Sequence, residues 1–168
     1  SAAGKVGLAY DFDGTDDIVT LPWLQRCQQA EVLTGLLDMH LFHPSSDECV
    51  HWRGYRGARE GESIGAHRFF PRRVLDQLDW TLWPEGLDRN LDGNLTKRLR
   101  SLSPSPLDEA HVLSMAEAGC AALGISSESN LTPWKDVVVG AESVSVHDVL
   151  SEFPLQTHRA VLRLRRKK

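Results

Sequence analysis

The sequence predicts a mostly α-helical protein, built from helical hairpins in a short solenoid-like stack or an irregular bundle, with a short extended N-terminal segment. Apolar residues recur every three or four positions through much of the chain, as they do on the buried face of a helix. Expected helix starts lie near residues 71, 106 and 145, roughly 35 to 39 residues apart, as in helix–turn–helix repeats. We therefore expect an extended arm over 1–20, a helical-hairpin domain over 21–153 and a basic tail over 154–168.

The first elements are a short strand and a long helix. Residues 5–12 are apolar and compact enough for a strand that ends in a turn. Thr20 is a suitable N-cap and Pro22 suits the first turn of a helix. This helix is expected to run to about Phe42, because Pro44 disfavours helical backbone at the residue before it.

The middle of the chain is expected to contain short helices separated by loops. Ser45 and Glu48 have the spacing of a capping box, which predicts a short helix, and the glycine-rich stretch 54–65 predicts a loop. Pro71 opens the next predicted helix, and another short helix is expected over 95–102.

The last third contains the strongest helix signals. A helix is predicted to begin at Ser105-Pro106 and to end near Gly124, with acidic residues in its first turn. Further helices are predicted over 134–139 and, with Ser145 as the cap, over 146–153. Residues 160–164 fit a strand or a helix equally well, since five residues do not define a period.

Composition excludes several classes of protein. The chain has 168 residues and a formal charge of −4, and 41% of its residues are hydrophobic, as is typical of a globular domain. It has no apolar run long enough for a transmembrane helix, and its acidic balance argues against a dedicated nucleic-acid binder. Three cysteines at unpatterned spacing favour a reducing compartment over a disulfide framework.

The two ends of the chain have a biased composition, with small residues at the N-terminus and basic residues at the C-terminus. The chain begins at Ser1 in a run of small residues, so either a targeting peptide has been removed or the start is an expression artefact. The basic C-terminus predicts either a solvated tail or a tail that docks on an acidic partner or lipid surface. The residues expected to bind a partner are four basic residues of the tail and two tryptophans: Arg163, Arg165, Arg166, Lys167, Trp23 and Trp134.

One short motif could support catalysis. The run Tyr10-Asp11-Phe12-Asp13-Gly14-Thr15 resembles the first motif of haloacid-dehalogenase-like phosphohydrolases. That resemblance implies that Asp11 is a nucleophile, that Asp13 is a general acid/base, and that both help to hold Mg²⁺. The same run is similar to the opening strand of laminin-G-like sandwiches, and a purely structural strand and turn is the third interpretation.

Two groups of residues have the chemistry of metal ligands. The segment with Asp88, Asn90 and Asp92 follows the first nine positions of an EF-hand calcium loop, but Leu99 replaces the glutamate that closes the site. The alternative is a turn whose polar side chains cap the next helix. A second group could supply nitrogen, oxygen and sulfur ligands, although its spacing is not that of a zinc site: His40, His43, Asp47, Cys49 and His51. No metal or cofactor is therefore expected.

The whole chain favours a non-catalytic interaction or accessory subunit of a larger assembly. Its mass of 18.7 kDa, its small-residue N-terminus and its expected hairpins over 21–153 resemble a known family. This family is the pentatricopeptide-like eighteen-kilodalton accessory subunit on the catalytic head of euglenozoan mitochondrial ATP synthase. The resemblance implies a mitochondrial protein that binds another subunit, does no chemistry and binds no RNA; otherwise a cytoplasmic location is expected. The alternative function is a Mg²⁺-dependent phosphohydrolase that uses Asp11 and Asp13.

Overall fold

Two mixed β-sheets with surrounding helices form the protein. A computed structural model describes residues 8–10 (backbone only), 17–86, 91–127 and 133–165. In these residues the chain is an α/β protein with nine strands and seven α-helices. The predicted mostly α-helical fold, whether a solenoid-like stack or an irregular bundle, is therefore wrong, and so is the predicted helical repeat.

The strands and helices alternate irregularly along the chain. The strands are β1 (Leu8–Tyr10), β2 (Asp17–Val19), β3 (Thr34–Leu36), β4 (Met39–His43), β5 (Glu48–Trp52), β6 (Phe69–Pro71), β7 (His111–Leu113), β8 (Ala122–Ile125) and β9 (Glu142–Ser143). The helices are α1 (Leu21–Gln28), α2 (Arg72–Gln77), α3 (Leu91–Ser101), α4 (Met115–Ala118), α5 (Trp134–Val137), α6 (Val146–Ser151) and α7 (Leu155–Leu164).

Sheet A has the strand order β1-β6-β3-β7, and sheet B has the order β2-β8-β4-β5-β9. Only the pairs β3/β7 and β4/β8 are parallel, with Thr34 opposite His111 and His40 opposite Leu123. Two residues separate β3 from β4, and α4 separates β7 from β8. The chain therefore passes from sheet A into sheet B twice, from β3 to β4 and from β7 to β8, and the strands of these two passages pair in parallel.

The helix predicted from Thr20 to about Phe42 is confirmed at its start, where α1 begins at Leu21, but it is wrong beyond Gln28, because the later apolar residues lie in and beside β3 and β4. Leu33, Leu36, Met39 and Phe42 are all buried, and their spacing of three matches a helix. Strands covered on both faces are apolar on both faces and lose the alternation that identifies a strand. The predicted short helix after Ser45 is also wrong, since Glu48–Trp52 is β5, paired antiparallel with β4.

The helix predicted from Ser105 to Gly124 is wrong for a similar reason. Its apolar residues are divided among β7, the four-residue α4 and β8. Ser114 and Glu117 form a capping box at the start of α4, and Gly119 ends α4 with a φ of +63°. Local signals therefore limit the helix to one turn, and the flanking segments pair with β3 and β4.

Several shorter elements agree with the sequence. The loop over 54–65 is irregular except for a single 3₁₀ turn at Gly57–Arg59. Helices are found at α2, α3 and α5, where helix starts or short helices were predicted. Ser145 caps α6 by accepting a hydrogen bond from the Asp148 N–H, as predicted. Residues 160–164 lie in α7, which settles the ambiguity in favour of helix.

Three apolar clusters form the core. The first includes Trp23 of α1 and Phe69 of β6, and the third packs α2 against α3. The second lies beneath α6 and α7 and includes Phe42, Leu150 and Val161. Within the described ranges, none of the helices combines the length and the apolar character needed to cross a membrane.

Gly54 lies where a side chain does not fit. Its φ is +80°, and a Cβ atom there would lie 2.1 Å from the carbonyl oxygen of Leu37. Gly57 also has a positive φ of +63°, but a Cβ atom there would have no neighbour within 4 Å. An alanine at Gly57 would therefore meet only the strain of a positive φ, whereas an alanine at Gly54 would meet that strain and a steric clash.

We expect Gly54→Ala to lower the free energy of unfolding by about 3 kcal/mol or more, because it adds a backbone clash to the strain. Gly57→Ala, the control, should cost only about 1 kcal/mol. Urea denaturation of both variants measures the difference, and equal losses would contradict the proposed clash.

Candidate functional site

Asp38 lies at the point where the chain passes from sheet A to sheet B, between β3 and β4. Its side chain is buried, and Oδ1 accepts a hydrogen bond of 2.7 Å from the Met115 N–H at the start of α4. Its Oδ2 lies 2.6 Å from Nε2 of His51 on β5. The carboxylate thus joins β4, β5 and α4 at a single position.

The electrostatics of this site favour an ionised Asp38. Burial alone would raise the pKa of Asp38, but the hydrogen bonds from His51 and from the Met115 N–H outweigh it and hold that pKa below its usual range. His51 keeps part of its side chain, 18%, exposed to solvent. An imidazole oriented by a buried carboxylate is the arrangement found in general-base catalysis, but it is equally a structural pair.

His40 lies beside this pair. Its ring centroid is 5.2 Å from that of His51. Burial, followed by the charge of His51, lowers the pKa of His40 to about 4, so His40 is neutral at pH 7. Burial raises the pKa of the nearby Cys120 thiol to about 11, so this thiol is protonated and a poor nucleophile. Catalysis through a thiolate therefore has no support at this position.

The group of candidate metal ligands on β4, on β5 and in the turn between them has contacts within the fold. His43 stacks on Trp134, and Asp47 pairs with Arg165. Cys49 is buried in the second core cluster. No group of three or more histidine, cysteine or acidic side chains that could hold a metal ion occurs in the part of the chain that the structure describes.

Of the three predicted calcium ligands, the structure describes Asp92. It lies in the first turn of α3, where its carboxylate pairs with Arg68 at 2.7 Å and accepts a hydrogen bond from Tyr55 at 3.0 Å. Asp88 and Asn90 lie outside the described residues. The carboxylate of Asp92 is therefore used within the fold, and the calcium loop stays a prediction.

The phosphohydrolase residues Asp11 and Asp13 also lie outside the described residues. The strand before them is present as β1, and its one pairing among the described residues is antiparallel, with β6. A phosphohydrolase of this kind places its aspartates at the end of a strand in a parallel sheet. The phosphohydrolase function stays a prediction.

The two tryptophans predicted as partner contacts lie within the fold. Trp23 is fully buried and donates a hydrogen bond to the carbonyl of His67, so it has no surface to offer a partner. Trp134 stacks on His43 with ring centroids 5.0 Å apart and donates to Glu48 at 2.6 Å. It fastens α5 to the turn between β4 and β5.

The C-terminal helix α7 presents an exposed face. Its inner side packs through Val161 into the second core cluster. Arg165 follows the helix and lies 2.5 Å from Asp47, with its guanidinium 5.5 Å from the centroid of the Phe42 ring. We define the α7 surface by its outward side chains: Leu155, Gln156, Arg159, Ala160, Arg163 and Leu164.

The α7 surface contains unused positive charge. Arg26, Arg159 and Arg163 are the three arginines that have no hydrogen bond or ion pair among the described residues. Of the predicted tail residues, Arg165 is paired within the chain, whereas Arg166 and Lys167 lie outside the described residues. Arg159 was predicted only as part of the basic C-terminus, and Leu155 was not predicted as a partner residue. The helical spacing 155, 159, 163 was the signal that could have identified both.

Sequence reasoning also missed Asp38, because it was placed inside a predicted helix. The available signal was the capping-box pattern of Ser114 and Glu117, which predicts a helix start at Met115. The free backbone N–H groups at that helix start need a hydrogen-bond acceptor, and Asp38 provides one for the Met115 N–H.

Comparisons with protein families, with curated proteins and with solved structures found no match.

We expect Asp38→Asn to lower the free energy of unfolding by about 1–3 kcal/mol, because an amide offers one acceptor oxygen to two N–H donors. Urea denaturation at pH 7 measures this loss. Glu142→Gln, which removes an exposed ion pair with Arg53, is the control and should leave stability nearly unchanged. A neutral Asp38→Asn would show that this carboxylate does not hold the two sheets together.

Two histidines with lowered pKa values, the buried His67 and the partly buried His40, make stability depend on pH. Burial lowers the pKa of His67 to about 4, and that of His40 is also about 4, against about 6.5 in the unfolded chain. Between these values the unfolded chain binds protons that the folded chain does not. Stability should therefore fall as the pH is lowered from about 6.5 to about 4, by roughly 1–3 kcal/mol for each histidine.

Urea denaturation of the native protein and of His40→Gln and His67→Asn at several pH values tests this dependence. Asparagine suits position 67, where φ is +60°. Each variant should show a shallower loss of stability between pH 6.5 and 4.5. An unchanged slope in both variants would assign the acid sensitivity to other groups. Asp38 loses its contribution only at lower pH, since its folded pKa is depressed.

Proposed function

We propose that this protein is a non-catalytic binding subunit that docks on a larger protein assembly through the α7 surface. The observation that supports the proposal most strongly is that Arg159 and Arg163 are exposed and have no hydrogen bond or ion pair in the described part of the chain, on a helix whose opposite side is packed into the core. Leu155 and Leu164 flank them and are 60% and 36% exposed. Leucines beside arginines suit an interface with an apolar centre and charged contacts.

Charge determines the kind of partner. Segment 154–168 contains six arginines and lysines and no acidic residue, whereas the whole chain has a net charge of −4. The rest of the chain is therefore acidic, by ten charges. Such an uneven distribution orients the C-terminus towards an acidic surface and turns the rest of the molecule away from it. We therefore propose an acidic protein surface as the partner.

The rigidity of α7 supports the same function. Val161 is buried in the second core cluster, and the ion pair between Arg165 and Asp47 attaches the end of the helix to the β4–β5 turn. A helix held in this way loses little conformational entropy when it binds. The assignment to mitochondrial ATP synthase stays a prediction. The resemblance behind it depended on helical hairpins, and the structure has two sheets instead.

Affinity purification from the native source, followed by native mass determination, tests the proposal. We expect the protein to be recovered in a stoichiometric complex with an acidic subunit. The double variant Arg159→Glu/Arg163→Glu should lose that subunit, because it reverses both charges. The matched control is Lys97→Glu/Lys135→Glu, which changes the net charge equally at exposed positions on α3 and α5 and should retain the subunit.

A free monomer or homodimer would contradict the proposal, as would equal loss of the partner in both double variants. Binding should also weaken at high salt, since the contacts are exposed charges. Recovery with phospholipid vesicles instead of a protein would show that the α7 surface binds lipid headgroups, and the proposal of a protein partner would then be wrong.

A further inference from the structure

A cleft lies between α1 and the parallel strands β3 and β7, on surface that the α7 proposal does not use. Its volume is about 810 Å³, within the usual range of small-molecule sites. Its lining includes Gln25 and Arg26 of α1, Gln29 directly after that helix, and His111 at the start of β7. The cleft is open to solvent along one side.

The polar groups of this cleft are not used by the fold. Among the residues that the structure describes, the side chains of Gln25, Arg26, Gln29 and His111 have no hydrogen bond or ion pair. The nine arginines other than Arg26, Arg159 and Arg163 in those same ranges are all paired. Four unused donors that line one cleft are a recognition surface for an acceptor group.

The cleft also contains apolar surface. Val32, Leu113 and Ala118 contribute to its lining. A ligand that fits has a hydrogen-bond acceptor at one end and hydrocarbon at the other. Arginine binds a carboxylate through two parallel hydrogen bonds and always carries its charge, which makes a carboxylate the best acceptor for Arg26.

Glu31 restricts the charge of the ligand. It lies in the lining of the cleft and its side chain is exposed, while its backbone carbonyl accepts a hydrogen bond from Arg73. A second carboxylate on the ligand would be repelled by Glu31. The cleft therefore suits one negative charge.

We propose that this cleft binds a small organic monocarboxylate with an apolar body. Arg26 pairs with the carboxylate, the amides of Gln25 and Gln29 donate to it, and Val32, Leu113 and Ala118 contact the hydrocarbon. Glu31 excludes dicarboxylates of the same length.

Titration of the whole chain with octanoate, octanol and octanedioate tests the proposal, with binding measured by calorimetry and by ligand-observed NMR. We expect saturable binding of octanoate, and binding about tenfold weaker for octanol and octanedioate, because each lacks one of the matched features. Arg26→Gln should weaken octanoate binding by about tenfold. Arg26→Lys should retain part of it, and Lys97→Gln, an exposed control on α3, should not change it.

Glu31→Gln should strengthen octanedioate binding and leave octanoate binding nearly unchanged. The proposal is overturned by the absence of saturable octanoate binding, by equal affinity for octanol, or by undiminished binding to folded Arg26→Gln. Circular dichroism confirms that each variant is folded, which is expected because Arg26, Glu31 and Lys97 are all exposed.

Discussion

The carboxylate of Asp38 is the contact on which the arrangement of the two sheets depends. It lies in the two-residue link between β3 and β4, where the chain leaves one sheet and enters the other. The start of α4 and the end of β5 both donate to it. A buried carboxylate is costly unless its oxygens are satisfied, so its two hydrogen bonds restrict this crossing to one geometry. His40, which is neutral at pH 7, lies beside the Asp38–His51 pair, and its lowered pKa makes the stability of the protein sensitive to acid.

A second set of contacts places the C-terminal part of the chain against the turn between β4 and β5. Trp134 stacks on His43 and donates to Glu48, and Arg165 pairs with Asp47. Two of these residues, Trp134 and Arg165, are predicted from the sequence to contact a partner. Among the described residues this leaves Arg159 and Arg163 as the charges of α7 without a hydrogen bond or ion pair, and they lie on the side of the helix to which we assign the proposed partner.

Both proposals start from arginines that have no hydrogen bond or ion pair among the described residues. In this fold most described arginines have a carboxylate or carbonyl partner, so an arginine without one marks surface that the fold does not need. Arg159 and Arg163 border a hollow of only about 260 Å³ on the exposed side of α7, which is below the usual size of a small-molecule site, whereas Arg26 lines a cleft of about 810 Å³, which is within that range. The shape of the surrounding surface distinguishes the two kinds of ligand.

The sequence by itself determined the helix starts that depend on local capping and the absence of a long apolar helix. Ser145 is an example, since its hydrogen bond to the Asp148 N–H involves only neighbouring residues. It also determined the basic character of the C-terminus. Only the tertiary structure decided that β3, β4, β7 and β8 are paired strands, because each is too short to define a period by itself and β7 and β8 lie far along the chain from their partners β3 and β4. The same long-range packing buried Trp23, engaged Trp134 and Arg165, and brought Asp38 to Met115, 77 residues later in the chain.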